Sequence, residues 1–517
     1  MVSLERVLRG LLHGRGSLLR DFFTTFVTQV IVLASTTLTY GLASRFLGLD
    51  GLGAYMLVRR VVTSVQPTML LGLAVALPRY IATVAEGNSP KRGLYVLAGS
   101  SVMLASALSF AAVLQIFPDT ATGLLFGSVD HRNLLLPLSI MLLGAAAHAT
   151  VYCYYRGRLL MNAANLLQVV NLGVIPLTIV GVLRSKRAEE ILVLTGMANL
   201  LVTSAFSPLP IRDSLVACRR VTRVWSGLRR SAIELLRYGL PRVPGFLAAS
   251  GLLVLGPVLA AHYTTMREVA YINAGQGLLQ IMAAFVAPLG LVILPRFSHW
   301  LAQNRHEQVR EQLETLLTGS VHIAVFVMPQ FLVFAGPLLA LWLGPEGAEA
   351  EPVVRILAVA LPFYLLYEVL RNPVDAGAVR ALNARNAYLA LVLFLAASFV
   401  SLELLDLDAI IGLAASLSAG LCVLGILTYR TAKKLFGFVF VFRREWLFVL
   451  LGASLGGVAY LVRLYLDSRF TAGDVVPMLS LLLFESVISV VYFTTLARAK
   501  VKWLREAWAR LRSMLPG

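Results

Sequence analysis

Runs of about twenty apolar residues recur along the whole chain, and nothing else in the sequence constrains the fold as strongly. A helix rises 1.5 Å per residue, so ~20 residues cross the ~30 Å hydrocarbon core of a bilayer, and each satisfies its own backbone groups there. Fourteen such runs fall at 22–46, 53–78, 93–117, 134–155, 162–183, 190–209, 239–262, 269–295, 317–343, 353–370, 386–404, 408–429, 446–466 and 475–497, with ends placed to ~3 residues. Only 14% of the 517 residues are charged, against roughly 25% in soluble domains, which excludes an ordinary soluble enzyme. The first run, from Phe22 to Ala43, is longer than a signal-peptide core and leads into further spans, so it reads as a retained helix. The expected fold class is all-α: a polytopic membrane protein of about fourteen transmembrane helices.

The net charge of +18 is a topological signal. With both termini inside, 34 of the 45 Lys and Arg fall on the inner side, nine on the outer side, and Arg59 and Arg60 lie within a span. Such an excess marks cytoplasmic loops and leaves no basic patch that implies nucleic acid. The expected location is the cytoplasmic (inner) membrane, multi-pass, with cytoplasmic termini. Both tails, 1–20 and 498–517, read as basic amphipathic interfacial helices; Val501, Leu504, Trp508, Leu511 and Leu515 recur at three and four residues.

Cys153, Cys218 and Cys422 form no metal-binding spacing, the seven histidines are scattered, and no phosphate loop or HExxH occurs. No cofactor or metal is expected, and the oligomeric state is read as a monomer.

The sequence repeats internally. Ala54-Tyr55 through Pro78-Arg79-Tyr80 matches Ala270-Tyr271 through Pro295-Arg296-Phe297. Arg158, Asn162 and Asn165 match Arg380, Asn383 and Asn386, and Gly196 and Ala198 match Gly412 and Ala414. The expected organisation is an N-lobe (21–209), a basic cytoplasmic linker (210–237), a C-lobe (238–430) and two added helices (446–497). Six helices return the chain to its starting side, so the lobes should relate by an axis along the membrane normal.

Arg45-Phe46-Leu47-Gly48, Gly51-Leu52-Gly53-Ala54-Tyr55, Gly72 and Pro78-Arg79-Tyr80-Ile81-Ala82 together resemble the opening helices of Wzx-type polysaccharide flippases. These belong to the multidrug/oligosaccharidyl-lipid/polysaccharide exporter superfamily, which also holds lipid II flippases of the MurJ type. The resemblance implies two six-helix lobes around a central cavity, with an added helix pair outside them. It also implies that a cationic cavity receives the pyrophosphate of a polyprenyl-linked sugar.

Arg59 and Arg60 lie six and seven residues inside Gly53, about 9–10 Å along a helix. A cation at that depth must face water or a partner, or snorkel to the interface. Neighbours on a helix point ~100° apart, so the two cannot share one spot. The repeat pairs Arg60 with Gln276, on a stripe with Asn273 and Gln280, and on that ground Arg60 is the leading substrate-binding residue. Thr25, Gln29, Thr36 and Tyr40 share one face of the first run and either reach sugar hydroxyls or serve helix packing. Arg242, between Pro241 and Pro244, either meets a head group from the cytoplasm or anchors the chain. Glu485 is the one carboxylate well inside a span, a possible coupling site or a partner for Arg463.

The expected activity is export of a polyprenyl-(pyro)phosphate-linked oligosaccharide by alternating access through a cationic cavity, with membrane lipids around it and H+ or Na+ as the possible coupling ion. The alternative is a cation-coupled multidrug or lipid II exporter of the same superfamily. The superfamily's drug exporters commonly carry an Asp in their first span, whereas no acid lies between Phe22 and Phe46 here. A membrane glycosyltransferase or polymerase would need a sizeable outward loop, and the longest here, 118–133, is short. The protein is therefore not expected to be an enzyme.

Overall fold

The computed structural model describes residues 18–84, 88–185, 187–221, 223–378, 381–438, 446–467 and 475–498. Nearly all of both expected interfacial tails lies outside the described residues, as does Arg380 of the repeat. Among the described residues there is no strand, and every one of the fourteen apolar runs falls on helix. Among the described residues ten helices are long and apolar enough to cross a membrane, or eleven if the bent pair Pro345–Ala358 and Leu361–Asp375 counts as one. The protein is an all-α, multi-pass membrane protein.

The count is below fourteen partly because α1 (Leu18–Met69) carries the first two runs in one piece, bent at Gly48 (φ 70°). A left-handed residue there costs glycine nothing. Farther along α1, a Cβ at Gly53 would collide with the Met266 carbonyl oxygen. The second run then breaks: Leu71 (φ 52°) and Gly72 (φ 71°) are both left-handed, Pro67 lies just upstream, and α2 (Leu73–Ala82) resumes the path. Proline removes a backbone donor and left-handed leucine is strained, so the break is built into the sequence.

Next come α3 (Ser89–Ile116), α4 (Pro118–Phe126), α5 (Leu135–Gly157), α6 (Met161–Gln168), α7 (Ile175–Leu183) and α8 (Ala188–Ala205). The basic linker is not a loop: it forms two helices, α9 (Pro208–Arg220) and α10 (Val224–Gly239), ahead of α11 (Val243–Tyr263). Arg92 on α3 holds Asp213 of α9 at 2.6 Å, and Tyr154 of α5 donates to the same carboxylate at 2.8 Å. By packing the chain divides into two compact units, Met1–Ala270 and Tyr271–Gly517. The repeat would divide it at 237/238 instead. The two differ because α9 and α10 pack on α3, and α11 packs on α1.

The second unit contains the remainder of α12 (Met266–Ala302), followed by α13 (His306–Leu343), α14 (Glu351–Ala358), α15 (Leu361–Gly377), α16 (Leu382–Phe399), α17 (Ala409–Phe436), α18 (Trp446–Asp467) and α19 (Val475–Arg498). The added pair α18 and α19 docks on α13 through Phe326, Val333, Ala459, Ile488, Tyr492 and Leu496. The fifth span of each repeat contains a π-helical turn, at Val169–Val174 and at Val400–Leu404, a feature that recurs at functional sites. The repeat-matched Asn165 and Asn386 are both buried. Each bonds to threonine on another helix, Asn165 to Thr25 at 3.3 Å and Asn386 to Thr431 at 3.0 Å. Thr25 therefore serves packing.

Candidate functional site

The first unit encloses a cavity of about 460 Å³ beside the α1–α2 break, lined from α1, α2, α5, α6, α7, α8 and α11 and the first π-helical turn. That volume falls in the range of ligand sites. Periodicity builds its walls: Arg59, Val62, Thr63 and Gln66 of α1, and Ala145, His148, Tyr152 and Arg156 of α5, recur at three and four residues, so each set shares one helix face. The break supplies Gly72 and aims Val75 of α2 at the same space.

Arg59 gives this cavity its cation. Its guanidinium donates to Tyr55 Oη at 3.0 Å and stands 5.5 Å and 5.6 Å from the Tyr40 and Tyr55 ring centroids. The two rings meet edge to face at 6.1 Å. Arg156 similarly stands 5.6 Å from the Tyr152 ring. Among the described lining residues there is no Asp or Glu. Both charges therefore lean on π-faces, which stabilise a guanidinium by roughly 0.5–2 kcal/mol without neutralising it. Arg59 is half-buried and Arg156 exposed, and a cation so supported keeps its attraction for an anion.

Polar groups complete the wall. Asn171 Nδ2 donates to Thr203 Oγ1 at 2.8 Å and lies 2.9 Å from His148 Nδ1. His148 stacks on Tyr152, whose hydroxyl donates to Gln168 Oε1 at 3.1 Å. The side-chain oxygens of Asn171 and Asn199 are buried and have no hydrogen-bond partner. Buried orphan acceptors cost about 1–3 kcal/mol each unless something fills the space beside them. Guanidiniums and orphan carboxamides together suit a ligand that carries both negative charge and hydroxyl donors.

Of the residues singled out from sequence, this cavity takes Arg59. Arg60, one step around the helix, is half-buried and not among the lining residues, because successive side chains point ~100° apart. Gln29 is exposed on α1, and Arg242 is exposed at the start of α11. In the second unit Asn273 and Gln276 are buried, Gln280 is half-buried, and both amide atoms of Gln276 lack partners. The pairing of Glu485 with Arg463 is corrected. Arg463 grips Glu351 through two nitrogens, at 2.6 Å and 3.3 Å, and Arg355 bonds the same carboxylate at 2.5 Å. Glu351 sits against Gly336, where any Cβ would strike its carboxylate. Glu485 stays half-buried on α19 with Oε2 unpartnered.

Sequence reading missed His148, Tyr152, Arg156 and Asn171. Arg156 falls among the inner-side Lys and Arg of the charge count, and His148 is one of seven scattered histidines. The spacing of four that joins His148, Tyr152 and Arg156 was the available signal, and Asn171 lies on the next span.

No family model matches the chain, and no curated protein matches it. Among solved structures, the lipid II flippase MurJ in an inward-closed conformation superposes with a TM-score of 0.70 at 13% identity, over 94% of this chain and 100% of that one. An inward-facing multidrug-resistance MATE family transporter of the MOP superfamily gives 0.62 at 16% identity, covering 80% and 98%. The eukaryotic MATE transporter AtDTX14 gives 0.54 at 12%, covering 81% and 99%. This chain therefore has the fold shared by a lipid II flippase and the MATE transporters.

Proposed function

We propose that the protein is a flippase that moves a polyprenyl-(pyro)phosphate-linked oligosaccharide from the inner to the outer leaflet by alternating access. The observation that carries this reading is the arginine-bearing cavity of the first unit, with no Asp or Glu among its described lining residues. Arg59 offers a planar donor fork, which matches phosphate oxygens better than a point charge does. The orphan carboxamides of Asn171 and Asn199 accept from sugar hydroxyls. A cavity of about 460 Å³ holds a phosphosugar and not a polyprenyl tail, so the tail stays in lipid. In the second unit Asn273, Gln276 and Gln280 are carboxamides of the kind that bond sugar hydroxyls. No phosphate loop for ATP occurs in the sequence, and an inside-negative potential favours outward movement of an anion by about 2.3 kcal/mol per charge per 100 mV. Coupling to H+ or Na+ through Glu485 would add to that drive.

A cation-coupled drug exporter is the second reading, favoured by the fold shared with MATE transporters. A cationic drug would meet Arg59 and Arg156 as repulsion. The test is reconstitution in vesicles, scoring translocation of a polyprenyl-pyrophosphate oligosaccharide beside efflux of a cationic dye. The expected result is translocation of the lipid-linked sugar that Arg59→Ala abolishes. Dye efflux unaffected by Arg59→Ala, with no lipid-linked sugar moved, overturns the proposal.

A further inference from the structure

Outside the cavity, two arginines share one aromatic ring. The Arg79 guanidinium on α2 stands 4.3 Å from the Tyr238 centroid, and that of Arg242 stands 3.7 Å from it. Their carbons are therefore no more than about 8 Å apart, close enough for the two phosphates of one diphosphate to reach both across the ring edge. Both side chains are exposed, and neither makes an ion pair with a described carboxylate. Glu234, one turn before Tyr238, is engaged instead by Tyr95 Oη at 2.6 Å. Like charges held this close repel, and an anion that reaches both relieves it.

The ring is fixed in place. Arg242 donates to the Tyr238 carbonyl oxygen, and Tyr80 meets the Tyr238 ring edge to face at 6.1 Å. A Cβ on Gly72 would collide with the Gly239 carbonyl oxygen, so the end of α10 is pressed against the α1–α2 break. Arg79 follows Val75 by four residues, Arg242 precedes Phe246 by four, and both Val75 and Phe246 line the cavity. Each arginine thus stands one helical turn beyond a cavity wall, on the same helix face.

We infer that Arg79 and Arg242, stacked on Tyr238, form a pyrophosphate-docking site at the rim of the first unit's cavity, which captures a lipid-borne head group before it moves inward. The inference rests on the proposed flippase reading for its cargo. Tyr238 pre-organises two donor forks, and Arg59 lies deeper as the next cationic station.

The test is equilibrium binding of farnesyl pyrophosphate to the full chain in phosphatidylcholine nanodiscs, in an Arg59→Ala background so that the rim is read alone. Arg79→Ala and Arg242→Ala should each weaken binding roughly tenfold, a change of about 1.4 kcal/mol. Tyr238→Leu, which keeps both charges, should weaken it several-fold, and the double Arg→Lys variant should retain part of the affinity. Inorganic pyrophosphate should compete, showing that the diphosphate is read. The docking site is overturned if the Arg59→Ala protein does not bind, or if adding both rim alanines changes affinity less than twofold. It is equally overturned if phosphatidylglycerol in the discs displaces the probe at parity, which would make the pair a general site for bilayer lipids. Translocation by Arg59→Ala alone decides the flippase reading, so the two can fail separately.

Discussion

The cavity of the first unit and the Glu351 joint of the second use arginine in opposite ways. In the first, Arg59 rests on Tyr40 and Tyr55 beside a cavity with no carboxylate among its described lining residues. In the second, Arg463 and Arg355 converge on Glu351, and Arg371 holds the buried Glu368 at 3.0 Å. A neutralised cation is a structural bolt. A cation supported only by π-faces still seeks an anion, so a guanidinium's neighbours, more than its depth, separate the two roles.

The contrast can be broken at its strongest point first. Glu351→Ala leaves Arg463, with 16% of its side chain exposed, without its acid, and should cost ~3–5 kcal/mol, read as lowered thermal stability of the purified protein. Removing both charges, with Arg463→Met and Glu351→Leu together, should recover much of that. A single variant as stable as the parent would show that the pair is no bolt.

Arg59→Ala should do the reverse. It removes a contact to substrate phosphate of about 1.5–3 kcal/mol, a loss of at least tenfold in translocation, with little change in thermal stability. Arg60→Ala is the internal comparison and should lose less. Equal or larger loss at Arg60 would move the site to the adjacent helix face.

Arg463→Lys sharpens the distinction between fork and charge. One ammonium cannot reproduce the two-nitrogen grip, so a stability loss of ~1–2 kcal/mol is expected. Retention of full stability would mean that charge alone holds the joint. The smallest effect belongs to Arg132→Ala. Its partner Asp119 lies 2.9 Å away, but the two side chains are 57% and 67% exposed. Thermal stability should fall by no more than ~0.5 kcal/mol; a larger loss would show that this surface pair is coupled to the packing beneath it.

Much of this was legible in the sequence, because a bilayer reads composition almost directly. Unsatisfied backbone is forbidden in lipid, so each run of about twenty apolar residues had to become helix, and each did. The repeat was equally readable: Asn165 and Asn386 were matched by spacing before both proved to be buried and bonded to threonine. The bend at Gly48 falls in the gap left between the first two runs, whereas the break at Leu71 and Gly72 was not legible, since apolar residues continue across it.

The sequence by itself determined the all-helical membrane fold, the duplication and the presence of arginine inside a span. Each of these follows from local chemistry meeting a uniform solvent. Only the tertiary structure decided that Arg59 and not Arg60 lines the first unit's cavity, that Arg463 answers Glu351 and not Glu485, and that Arg79 and Arg242 share Tyr238. Helix rotation and long-range neighbours set those outcomes. One residue along a helix turns a side chain ~100°, and residues 112 positions apart, as at Arg463 and Glu351, meet only when the whole unit packs.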